Sequence, residues 1–96
     1  MNITFNDIQF NTHPSGDGVQ GFVKLPNGYK VSVIQNDFSY GGEEGLWEIG
    51  FMNEAGLVHV PDWYDQVVGY LDEQQVIEKI YWLYHQILNG ADWLNQ

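Results

Sequence analysis

Apolar and polar residues alternate over several stretches of this chain, and over one stretch the apolar residues recur at helical spacing. Near the start, the pairs Ile3/Phe5 and Ile8/Phe10 predict one strand over residues 2–10, or two strands broken near Asn6-Asp7. His13 to Gly21 carries Pro14, Gly16, Gly18 and Gly21 and reads as a loop. Phe22-Val23-Lys24-Leu25 and Tyr29-Lys30-Val31-Ser32-Val33-Ile34 then flank Pro26-Asn27-Gly28. Asn and Gly tolerate positive φ, so this segment predicts a hairpin.

Gln35 to Gly45 is polar and glycine-bearing and predicts a long connection. Leu46 to Met52 places Trp47, Ile49 and Phe51 on one face of a half-buried strand. Asn53-Glu54-Ala55-Gly56 turns the chain into Leu57-Val58-His59-Val60, a second hairpin ended by Pro61. Asp72 with Gln75 three residues later predicts a capped helix start. Val76, Ile77, Ile80, Leu83, Tyr84 and Ile87 follow on one stripe, and Gly90 is a suitable stop. The expected fold is one α+β domain over residues 1–96. It has a single antiparallel meander of four to five strands with one C-terminal helix packed on it.

Charge sharpens this picture. Thirteen acids face three lysines and no arginine, a formal net charge of −10 in 96 residues. Between Val31 and Glu78 there is no lysine or arginine. Binding a phosphate backbone depends on cationic contacts that release counterions, so direct nucleic-acid binding is not expected. Anionic membrane surfaces repel such a chain, and no apolar run approaches the ~20 residues of a membrane span. The acidity has two readings: a means of solubility, or a surface that engages a basic groove on a partner. The absence of cysteine excludes disulfides and thiolate chemistry. The first residues lack the features of a secretory signal, so a cytoplasmic location is expected.

Catalytic patterns are sparse. His13, His59 and His85 lie far apart, without metal-ligand spacing, and no serine sits in a nucleophile elbow. Glu43, Glu44 and Glu48, or Asp62 and Asp65, could pair as carboxylates for a hydrolase, but a short meander has little room for the required cleft. Gly16-Asp17-Gly18 and Gly41-Gly42 lack phosphate-loop spacing. The expectation is therefore no catalytic residue, no metal site and no cofactor.

Two features point instead to binding. The segment Phe38-Ser39-Tyr40-Gly41-Gly42-Glu43-Glu44-Gly45 joins two predicted strands and sets an aromatic beside acids, which suits contact with a partner's Arg or Lys. Trp82 falls about 200° around the helix from Ile80, opposite the apolar stripe and on the face of Glu78 and Gln86. It is either covered by the tail Ala91-Asp92-Trp93-Leu94 or the N-terminal arm, or free as an interface anchor. The candidate partner-binding residues are thus Tyr40, Glu43, Glu44, Glu48 and Trp82.

Three runs carry a resemblance: Gly28 to Ile34, Ser39 to Ile49 (SYGGEEGLWEI), and Val68 to Val76 (VGYLDEQQV). Over residues 28–76 the chain resembles small tailed-bacteriophage proteins in which an S-Y-G-G-x-x-G-L-[WY]-E segment precedes a V-x-G-[WY]-L segment and a helix. No catalytic role attaches to that pattern. The resemblance implies a protein acting in an infected bacterial cell. Many small acidic phage proteins bind and disable host proteins, among them anti-CRISPR proteins, and some act as nucleic-acid mimics. The expected partner is a bacterial host protein with a basic surface. The alternative is self-association, as a homodimer through Trp82 or a sheet edge.

Overall fold

A computed structural model describes residues 1–95. Its strands are β1 (Phe10–Thr12), β2 (Val19–Lys24), β3 (Lys30–Gln35), β4 (Trp47–Asn53), β5 (Gly56–Leu57) and β6 (Val67–Leu71), and its helix is α1 (Glu73–Leu88). All strands lie in one antiparallel sheet. β1 to β4 pair in sequence order, and both β5 and β6 pair with the far edge of β4. The α+β architecture with a C-terminal helix is as the pattern predicts, with six strands in place of four or five.

The register sorts the side chains. Phe10, Gly21, Val33, Ile49 and Val68 form one cross-strand row, and Val23, Val31 and Phe51 form the next. These rows face α1. Its Val76, Ile80, Leu83 and Ile87 belong to the same buried cluster as Val31, Val33, Ile49 and Phe51. Each such side chain stabilises the fold by about 1.5–3 kcal/mol as an upper bound. Asp72 caps α1 as expected: its carboxylate accepts the Gln75 amide at 2.8 Å, while Gln75 Oε1 accepts the Asp72 amide at 2.9 Å. On the opposite face lie Phe22, Ser32, Gly50 and Val67, with Lys24, Lys30, Met52 and Leu57 beside them. Phe22 and Leu57 are exposed there.

Four expectations about elements are corrected. Residues 2–10 break at Asn6-Asp7 as the second alternative has it, in a 3₁₀ turn over Phe5–Asp7, but no strand precedes the break and pairing begins only at Phe10. Asp7 causes this, because its carboxylate accepts the Thr4 amide at 2.8 Å and closes the chain locally. The loop after His13 ends early, with β2 starting at Val19. In the second hairpin only Gly56–Leu57 pair as a strand.

The fourth correction is β6. The pairs Val68–Ile49 and Leu71–Trp47 leave two β6 residues, Gly69 and Tyr70, opposite the single β4 residue Glu48. That bulge puts Tyr70 at φ 58° and keeps both Val68 and Leu71 on the helix side. The two-residue alternation is broken at this point, so the sequence pattern conceals the strand. No helix among the described residues is long and apolar enough to cross a membrane.

Candidate functional site

The loop between β3 and β4 is organised first by its own polar side chains. Asn36 Oδ1 accepts the amides of Phe38 at 2.9 Å and Ser39 at 2.7 Å, a turn in which the side chain replaces a backbone carbonyl. Ser39 Oγ accepts the Asn36 amide and donates to the Asn36 carbonyl, both at 3.0 Å. A Cβ on Gly42 would collide with that same carbonyl, so the turn closes only around glycine. Gly42–Glu44 then form a 3₁₀ turn that holds Glu43 and Glu44 out in solvent.

The loop is next tied to the sheet. The Tyr70 amide donates to the Tyr40 carbonyl at 3.0 Å, and the Tyr40 amide donates to Glu48 Oε1 at 2.9 Å. Tyr40 lies directly over Gly69, where any Cβ would strike it. The β6 bulge and the loop therefore fit each other. Gly69 admits the Tyr40 backbone, and the bulge turns Tyr70 outward beside it.

The result is a depression of about 270 Å³ lined by Asp37, Phe38, Ser39, Tyr40, Gly41, Glu43, Glu44 and Tyr70. Its aromatics are open: Phe38 is 89% exposed, Tyr70 59% and Tyr40 46%. The Tyr40 phenol donates to Asp65 Oδ2 at 3.2 Å. That bond and the Asp65 charge, with smaller effects of burial, Glu48 and Tyr70, hold its pKa above the ordinary 10.0. Ionising the phenol would remove the donor and set an anion against carboxylates.

The five sequence-derived residues separate into three roles. Tyr40, Glu43 and Glu44 share the depression. Glu48 is half-buried and occupied by the Tyr40 amide, which makes it a holder of the loop. Trp82 is elsewhere, on the outer side of α1. As the tail reading expects, it stacks on Trp93, with ring centroids 6.2 Å apart and planes 11° apart. It remains 39% exposed. Sequence reasoning passed over Phe38, Tyr70 and Asp65 as contact residues. The signal for Tyr70 was the glycine before it, since glycine inside a strand often marks a bulge or a close backbone approach.

Several of the acids are engaged locally. Asp7, Asp17, Glu48, Asp65 and Asp72 each accept a backbone N–H, from Thr4, Asp37, Tyr40, Gln66 and Gln75 respectively. Such charge-assisted bonds hold turns in a chain that contains no arginine. Asp37, Glu43 and Glu44 line the depression, and Asp62 and Glu78 line a separate groove beside Trp82.

The histidines are dispersed in space as well. His13 pairs with Ser15 Oγ at 2.9 Å, His59 Nε2 meets the Trp63 carbonyl at 3.2 Å, and His85 packs edge-on to Tyr84. Among the described residues, no three His, Cys, Asp or Glu side chains are grouped so as to hold a metal ion. No polar or charged residue among them is buried. The chemistry available at the Tyr40 depression is recognition: aromatic faces for stacking, carboxylates for cations and one phenol kept neutral. Set against protein families, curated proteins and solved structures, the chain has no match, so its reading rests on this geometry.

Proposed function

We propose that this chain is a binding protein that inhibits or modulates a bacterial protein by covering a basic surface on it. The observation that carries the reading is the convergence of Phe38, Tyr40 and Tyr70 with Asp37, Glu43 and Glu44 around one depression. Exposed aromatics supply contact area at low entropic cost, and the adjacent carboxylates select arginine or lysine. The net charge of −10 steers the chain toward cationic partners and away from nucleic acid itself. The loop is already fixed by Asn36, Ser39 and Glu48, so little ordering cost accompanies association. The resemblance to small phage proteins is the reason the reading looks for that partner in a bacterial host.

The test is a pull-down from bacterial lysate at ~50 mM and at high salt, with the wild-type chain beside a Phe38→Ala, Glu43→Gln, Glu44→Gln variant. Electrostatic contacts are strongest at low salt. A specific partner should be retained there by the wild type, released at high salt and lost by the variant. No retained partner, or one held equally by both chains, would sink the reading.

A second reading, self-association, has one observation in its favour. The uncovered sheet face carries Phe22 and Leu57, each nearly half exposed, with Met52 and Val67 beside them. Light scattering at high concentration decides it, because a strict monomer removes the homodimer.

A further inference from the structure

The outer side of α1 meets the segment containing Asp62 and Trp63 in a groove of about 320 Å³, lined by Asp62, Trp63, Glu78, Lys79 and Trp82. It shares no lining residue with the Tyr40 depression. Its two indoles are held in different ways. Trp63 is only 8% exposed and belongs to the core. Trp82 is fixed by its stack on Trp93, whose Nε1–H donates to Gln86 Oε1 at 2.9 Å and whose ring packs edge-on to Phe51. The chain Phe51–Trp93–Trp82 thus connects a fully buried ring to a partly exposed one.

Two carboxylate residues line the same groove from different elements, Asp62 from the loop before β6 and Glu78 from α1. Lys79 adds one positive charge, so the lining carries a net charge of −1. Aromatic faces with an excess of carboxylate select a cation and reject phosphate or carboxylate ligands.

We propose that this groove is a receptor site for one guanidinium group, the arginine side chain of another molecule. A guanidinium is planar and weakly hydrated, so it can lie on an indole face while its edge donates to carboxylates. A lysine ammonium is compact, strongly hydrated and has no face to stack. None of the 96 residues is an arginine, so the occupant comes from another molecule. The site goes beyond the reading of the Tyr40 depression and stands or falls separately.

N-acetyl-arginine amide titrated into the ¹⁵N-labelled chain tests it, with the indole N–H signals of Trp82 and Trp63 as readout. A single arginine group without a wider interface should bind with a dissociation constant on the order of millimolar. N-acetyl-citrulline amide, the neutral isostere, should leave the signals unmoved. Glu78→Gln and Trp82→Leu change exposed positions, and each should weaken binding roughly tenfold while backbone spectra report an intact fold. Lys79→Gln should tighten binding, and Phe38→Ala should leave it unchanged. Equal binding of the citrulline compound, no saturable shift with the arginine compound, or weaker binding by Lys79→Gln would each overturn the assignment.

Discussion

Two exposed aromatic regions of this protein, around Tyr40 and around Trp82, are positioned by opposite means. At the Trp82 corner, rings are held by rings: Tyr29 stacks on Phe51 with centroids 5.0 Å apart, Phe51 meets Trp93 at 5.8 Å, and Trp93 lies near-parallel to Trp82 at 6.2 Å. At the Tyr40 depression, hydrogen bonds do the holding. Glu48 and Tyr70 fix the tyrosine backbone, and Asp65 fixes its phenol. The difference teaches how one small acidic domain can present two kinds of surface. Ring stacking passes the rigidity of the core outward and is indifferent to pH. Carboxylate bonds allow the loop to stand away from the core, but they make it sensitive to charge.

The sharpest break in this contrast is Phe51→Ala. Phe51 is fully buried and contacts both Tyr29 and Trp93, so its removal should cost about 3–5 kcal/mol in urea unfolding. It should also loosen the Trp82–Trp93 stack, visible in near-ultraviolet circular dichroism, while the Tyr40 signals move less. Gly69→Ala attacks the other region. Its methyl would strike the Tyr40 backbone, and the expected loss is about 1–3 kcal/mol, with chemical-shift changes concentrated in residues 36–46. A change spread evenly over the sheet would show that the loop is not a separately held unit.

The smallest effect separates the two regions most cleanly. Tyr40 should titrate above the ordinary 10.0, and Asp65→Asn should bring it back toward that value when followed by the NMR signal of the phenol carbon. The sign is set by the raised folded-state pKa. The contribution to stability is complete below the ordinary tyrosine value and is lost as pH rises through the folded one. The Trp82–Trp93 contact is between two rings that do not ionise and should persist through the same range. An unchanged Tyr40 titration in Asp65→Asn would remove the proposed cause.

Local signals were legible wherever one residue type dictates one conformation. Asn27 and Gly28 have φ of 63° and 80°, as the hairpin requires, and Asp72 with Gln75 closes the box that begins α1. The apolar stripe of α1 is buried at Val76, Ile80, Leu83 and Ile87 because helical periodicity registers burial directly. The loop Phe38–Gly45 stood out as a contact region because aromatic, acidic and glycine residues are adjacent in it. Which nearby side chains stand open and which hold the loop was not legible. Glu48 looks like Glu43 and Glu44 in the sequence, but the fold sets it against the Tyr40 amide.

The sequence by itself determined the α+β class, the central hairpin, the capped helix and the acidic character, since each depends on interactions within a few residues or on composition. Tertiary structure alone decided that Val67–Leu71 joins the far edge of β4, that a bulge at Gly69-Tyr70 receives the Tyr40 loop, and that Trp93 folds back onto Trp82. Those outcomes depend on pairs brought together across many residues: Tyr70 with Tyr40, Asp65 with Tyr40, Phe51 with Trp93. No spacing rule along the chain encodes such meetings. They follow from how the sheet and helix close around one core.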